Sequence, residues 1–173
     1  CRAVRYLHGQ RPTIVHGDLK DSNVMVEAMK DTYRAKITDF GLSRLLTRAA
    51  QPLGGTIRWM APELFLNAGK PHAACDIFSI GRLMYFIITR QLPLAGFSPK
   101  EIISRECQGS PLELDWPVAA AHHAAHIACK CLARKPSLRP EMAEVLNMIS
   151  ALIVPQRLCP DVDGRHTRKT CRL

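Results

Sequence analysis

The stretch from Ala74 to Thr89 constrains the fold more than any other part of this chain. Asp76, Ser79 and Arg82 are its only strongly polar residues before Thr89. A helix that is apolar on almost every side cannot face water, so it has to form the centre of a bundle. It is not a membrane span. The longest uninterrupted apolar run, Leu83 to Ile88, is six residues, against the roughly 20 needed to cross a bilayer. The chain of 173 residues must therefore wrap this helix with its own elements. A globular chain of that length can bury about 70% of its extended surface.

The wrapping elements are legible as patterns. Val4 and Leu7 mark the last turns of a helix over residues 1–8, stopped by Gly9. Val24 to Met29 and Ala35 to Thr38 read as two short strands around a turn near Lys30 and Asp31. Pro99 to Cys107 and Val118 to Leu132 read as further helices. Met142, Val145, Leu146, Ile149 and Leu152 fall on one face of another. Pro140, Glu141 and Glu144 suit its first turn. Residues 40–62 hold Gly41, Pro52, Gly54, Gly55 and Pro62 and read as a long ordered loop, a feature that usually carries function. The expected fold class is mostly α, a helical bundle with one short β-hairpin. Residues 1–154 are expected to form the domain, and 155–173 a basic, flexible tail of net charge +3.

Hydrophobic residues at 47% and charged residues at 23% exclude a wholly disordered chain. The net charge of +9 permits nucleic-acid, anionic-membrane or phosphate partners and selects none. Trp59 and Trp116 are too few and too scattered for a base-stacking surface, so no nucleic-acid partner is expected, and no membrane segment. The seven cysteines are odd in number and contain no C-x-x-C pair. That usage suits reduced thiols, hence an expected cytoplasmic location. His122, His123, His126 and Cys129 have helical metal-ligand spacing but no matching acid or cysteine, and read as an ordinary helix.

The chemistry concentrates in His16-Gly17-Asp18-Leu19-Lys20-Asp21-Ser22-Asn23. A carboxylate five residues before an amide, in a loop, can place a base and a metal ligand around one cavity. Asp39-Phe40-Gly41 follows at the end of the second strand, and Ala61-Pro62-Glu63 closes the long loop. Hard oxygen ligands such as Asn23 and Asp39 suit Mg²⁺, which completes its shell with water and phosphate.

In this order the segments resemble the eukaryotic protein kinases, whose signature is H-R-D-L-x-x-x-N, D-F-G and A-P-E. Asp76-Ile77-Phe78-Ser79-Ile80-Gly81 is similar to the family's D-x-W-S-x-G helix, and Cys131-Leu132, Pro136 and Arg139-Pro140 to its late C-L…P…R-P segment. Lys20, Thr56 and Arg58-Trp59-Met60 resemble the serine/threonine type, nearest the tyrosine-kinase-like group. The resemblance covers roughly residues 4–152. It implies ATP- and Mg²⁺-dependent transfer of the γ-phosphate to Ser/Thr hydroxyls of protein substrates in signal transduction.

It also implies roles. Asp18 would accept or orient the proton of the substrate hydroxyl. Asn23 and Asp39 would hold Mg²⁺, and Lys20 would sit near the transferred phosphate. Met25 would form the lower side of the adenine slot. Thr56 would shape the substrate site beside Asp18 and Lys20. Glu63 and Arg139 would pair, Asp76 would brace the catalytic loop, and His16 and Phe40 would stack, with Gly41 following. Ser43, Thr47 and Thr56 are candidate phosphosites in a loop whose only charges are Arg44, Arg48 and Arg58.

Two departures matter. Gly17 replaces the family's Arg, which in many kinases pairs with a phosphorylated loop residue. No G-x-G-x-x-G loop and no V-A-I-K lysine occurs in the sequence. The chain is therefore expected to be the larger C-terminal lobe, with the N-terminal lobe absent and the start falling inside the helix before the catalytic loop. The alternative reading is a catalytically inactive, pseudokinase-like C-lobe acting as a protein-binding module.

Overall fold

The computed structural model describes residues 1–39, 56–66, 71–110, 112–116 and 122–153. In chain order it holds α1 (Arg2–His8), a 3-10 turn (Asp21–Asn23), β1 (Val24–Ala28), β2 (Tyr33–Ile37), a 3-10 turn (Thr56–Trp59), α2 (Glu63–Leu66), α3 (Ala73–Thr89), α4 (Pro99–Cys107), α5 (His122–Cys131), a 3-10 turn (Pro136–Leu138) and α6 (Met142–Ile153). The fold is mostly helical with one small antiparallel sheet.

Helix α3 is the apolar stretch, and it is the centre. Its residues Ile77, Ile80 and Leu83 share one core with Val4 of α1, Leu19, Trp59, Ile127 and Cys131 of α5, and Met142 and Val145 of α6. Each such side chain taken out of water contributes roughly 1.5–3 kcal/mol. The wrap is successive: α5 packs on α3, α6 on α5, and α1 on α6. A second cluster (Ile57, Leu94, Ile102 and Leu112) lies beneath α4. Among the described residues no helix is long and apolar enough to cross a membrane.

The close approach of α3 to the end of α5 depends on Gly81. A Cβ there would lie 2.8 Å from Leu132 Cγ and 3.0 Å from Cys131 Cβ. Gly81→Ala is expected to destabilise the chain by about 1–3 kcal/mol through overpacking. Urea unfolding reads this as a lower midpoint at unchanged slope, and an unchanged midpoint would mean the two helices separate at little cost.

Helix α4 starts where it does because of Ser98. The Glu101 N–H donates to Ser98 Oγ (3.3 Å), and the Ser98 N–H donates to Glu101 Oε2 (2.7 Å). Pro99 fills the first helical position. This reciprocal cap satisfies donors the helix cannot satisfy itself. Ser98→Ala is expected to cost about 1 kcal/mol, seen as a lower thermal midpoint.

The hairpin pairs Val24 with Ile37 through to Ala28 with Tyr33. Its role is positional. The Thr38 N–H donates to the Asn23 carbonyl at 3.0 Å, so the strands return the chain to where it left the His16–Asn23 segment. Strand β1 alternates less than a half-buried strand should. Val24 is half-buried, whereas Met25 and Val26 are 58% and 65% exposed. A two-stranded sheet buries a face only against another layer, and none of the described residues covers this one.

Candidate active site

Asp18 is the hub of the site. It is 7% exposed, in the segment between α1 and β1. The Lys20 Nζ donates to its Oδ2 at 2.7 Å. The Asn23 amide donates to the Asp18 carbonyl at 2.8 Å and to Oδ2 at 3.2 Å. Among the described residues, Asp18 Oδ1 is buried and has no hydrogen-bond partner. A buried carboxylate oxygen without a donor costs roughly 1–3 kcal/mol or more. The fold therefore holds one acceptor in reserve while fixing the other.

Lys20 connects this hub to the far side of the chain. Its Nζ also donates to Thr56 Oγ1 at 3.2 Å. Thr56 opens the 3-10 turn whose Ile57 and Trp59 are buried, so the core anchors the threonine. Thr56 itself is half-buried against Lys20.

The segment is braced from beneath by Asp76, which is 1% exposed on the first turn of α3. Its Oδ2 accepts from the His16 N–H and its Oδ1 from the Gly17 N–H, each at 2.9 Å. The same carboxylate meets His8 Nε2 at 2.8 Å, tying α1 into the brace. Gly17 has φ +78°, a region that side chains other than glycine's enter at a cost. The His16 ring is 1% exposed. Its Nε2 meets the Thr38 carbonyl at 2.9 Å, and its Nδ1 accepts from the Asp18 N–H at 3.3 Å. One tautomer, protonated on Nε2, serves both bonds.

Asp39 follows immediately on the residue bonded to Asn23, and its backbone turns with φ +62°. It is exposed. Aspartate is among the few residues that occupy this region readily. Phe40, Gly41, Ser43 and Thr47 lie outside the described residues.

Glu63 and Arg139 meet in the core behind the site. Arg139 donates from Nη1 to Glu63 Oε1 at 2.6 Å and from Nη2 to Oε2 at 2.7 Å. Nε bonds the Ala133 carbonyl, Nη1 also that of Ala74, and Nη2 also that of Arg134. All five guanidinium donors are thus used. The ring of Phe78 lies 4.9 Å beneath. Burial pushes the Glu63 carboxyl up, but the hydrogen bonds and charge of Arg139 outweigh it and hold the group below its usual range. Cys75 Sγ donates to Glu63 Oε1 at 3.3 Å. Burial, aided by that carboxylate, raises the thiol to about 12.

The donor groups that converge among the described residues are Glu63, His72 and Cys75, with ligand atoms within 4.8 Å of one another. Arg139 already engages both Glu63 oxygens and Cys75 bonds one of them, while His72 Nε2 stands 3.7 Å away, so the trio surrounds a carboxylate that is already committed.

The structure thus brings together Asp18, Lys20, Asn23 and Thr56, sets Asp39 beside them through the hairpin, and supports them with His16 and Asp76. Met25 stands apart on the exposed strand face. Sequence reasoning missed His8, whose contact with Asp76 spans 68 positions and leaves no local signal.

Residues 1–149 match the protein kinase domain family, and the chain belongs to it. It is 31% identical over 154 residues to the serine/threonine/tyrosine-protein kinase HT1 of Arabidopsis thaliana, covering 86% of this chain and 37% of that protein. It is 30% identical over 159 residues to the serine/threonine-protein kinase CTR1 of the same plant, covering 88% and 18%. With the probable serine/threonine-protein kinase drkD of Dictyostelium discoideum the identity is 29% over 154 residues, covering 88% and 12%. The chain spans well under half the length of these relatives.

Proposed function

We propose that residues 1–154 are the helical, catalytic half of a serine/threonine protein kinase domain that transfers the γ-phosphate of ATP to hydroxyls of protein substrates. The observation that carries the proposal is the divided state of Asp18. One carboxylate oxygen is fixed by Lys20 and Asn23, and the other is buried without a donor. A substrate hydroxyl is the group that such an oxygen is built to receive. Its O–H donates to Oδ1, which orients the oxygen for attack and takes the proton.

The neighbouring residues fit the cofactors. Asn23 spends its amide hydrogens on Asp18, which leaves its carbonyl oxygen for a hard cation, and Asp39 adds an exposed carboxylate. These two would hold Mg²⁺. When bound, Mg²⁺ neutralises charge on the ATP phosphates. Lys20 places its ammonium between the base and Thr56, where it stabilises negative charge spreading on the transferred group. Thr56 anchors the substrate side. No glycine-rich loop that would cover the phosphates occurs among these 173 residues.

A second reading, a partner-binding module without catalysis, draws on the hairpin. Met25, Val26 and Tyr33 stand 58%, 65% and 77% exposed on it. Incubation of the intact protein with labelled ATP, Mg²⁺ and a Ser/Thr-rich protein decides between them. Label on serine or threonine is expected. Complete absence of label, with the hairpin still capturing a protein partner, supports the second reading instead.

A further inference from the structure

Arg82 is the anomaly of helix α3. It is 4% exposed, yet among the described residues its Nε and Nη1 have no hydrogen-bond partner. Arg139, equally deep, uses every donor it has. The nearest carboxylate to Arg82 in charge terms is Glu106. That group is already committed: Arg134 Nη1 donates to Glu106 Oε2 at 2.8 Å, and Nη2 donates to its carbonyl at 3.1 Å. The Phe78 ring lies 5.2 Å from the Arg82 guanidinium. Burial lowers Arg82 to about 10, so it still carries its charge at neutral pH.

Arg82 lines a cavity of about 330 Å³ between α3, α4 and the start of the segment toward α5. The rest of the lining is apolar at Phe78, Leu112, Leu114, Trp116 and Leu132, and charged at the Glu106–Arg134 pair and at the exposed Glu113. Trp116 is held edge-on to Tyr85 at 5.0 Å, and the Tyr85 hydroxyl donates to the Asp115 carbonyl at 3.2 Å, so that wall is fixed. The cavity falls within the size range of small-molecule sites, with an apolar body and a few placed polar groups, of which Arg82 keeps unpartnered donors among the described residues.

We propose that this cavity binds a small amphipathic carboxylate, its oxygens accepting from the unpartnered Arg82 guanidinium and its apolar body lying against Phe78, Leu112 and Trp116. A charge-assisted pair of this kind supplies the acceptor that Arg82 lacks. The apolar lining selects against a bare anion. A phosphate would satisfy the guanidinium but would leave that apolar lining uncovered and carry a second negative charge in beside Glu106 and Glu113. The site is separate from the Asp18 cluster and does not depend on the reading of that cluster.

The test titrates the chain with a phenylalkanoate series, with the matching primary amides, and with inorganic phosphate. Heat of binding and tryptophan fluorescence are followed together. The carboxylates are expected to bind, more tightly as the apolar body lengthens, and the amides at least tenfold more weakly. Arg82→Met should abolish the difference between acid and amide. That variant replaces a buried unpaired charge with an apolar side chain of similar length, and it is expected to melt no lower than the parent. Arg82→Lys keeps the charge, and should retain weakened binding with the same preference for acid over amide. Equal binding of phosphate and carboxylate, equal binding of acid and amide, or undiminished binding by Arg82→Met would each overturn the proposal, as would no binding at all.

Discussion

Arg139→Ala is expected to cost about 3–5 kcal/mol and to leave the chain largely unfolded at 37 °C. The side chain of Arg139 is fully buried and that of Glu63 is 18% exposed. Removing one partner of a buried pair strands the other, and the stranded charge dominates the loss. Here the loss is wider. Three backbone carbonyls, those of Ala74, Ala133 and Arg134, lose their donor at the same moment. They belong to three places in the chain: the start of α3, the turn after α5, and the approach to the last 3-10 turn. A domain of this size has only about 5–15 kcal/mol in total. Arg139→Lys should recover little, because an ammonium has three donors and no planar fork. Circular dichroism against urea measures both variants. A midpoint for Arg139→Ala within a few tenths molar of the parent would show that the pair holds nothing together.

The same pair sets an acid limit. The carboxyl of Glu63 is held below its ordinary value in the folded chain. A group with a depressed folded value contributes stability that is present above its unfolded value and is lost as the pH falls through the folded one. The contribution is therefore complete at neutral pH and disappears on acidification below the usual glutamate range. Glu63→Gln should flatten that part of the stability-against-pH curve relative to the parent. A parent curve already flat there would contradict the role given to the pair.

The central helix was legible because its apolar pattern admits one environment, and Ala74–Thr89 became Ala73–Thr89. Pro99–Cys107 coincides with α4, since Pro99 at its first position and the Ser98–Glu101 cap are written locally. The Asp18, Lys20 and Asn23 cluster was legible for a similar reason: its members lie within six positions of one another, so their meeting needs only a turn. What the sequence hides is long-range. Nothing local marks His8 as a partner of Asp76, or Ser79 as the donor to the Trp59 carbonyl at 2.9 Å. Arg82 looks like one polar residue in an apolar helix, and pattern alone cannot tell whether a partner arrives from another element. The exposure of β1 was not legible either. A strand pattern predicts a buried face, and a hairpin gains one only when another layer covers it.

Asp18→Asn is expected to lower the rate of phosphoryl transfer by about 10²–10⁴-fold while leaving the fold intact, the range for loss of a positioned general base. The variant keeps the shape of the side chain and removes its charge. Lys20 then loses its ion pair with Oδ2, and the reserved oxygen at Oδ1 becomes an amide atom with little basicity. Stability should not fall in proportion, because a buried carboxylate with one unsatisfied oxygen is itself costly. The decisive measurement is single-turnover transfer from Mg²⁺-ATP by the intact protein and by its Asp18→Asn variant, with nucleotide affinity determined on the same samples. The account predicts a fall of at least a hundredfold in the transfer step at nucleotide affinity unchanged within about twofold. Equal transfer rates, or a loss wholly explained by weaker nucleotide binding, would contradict it.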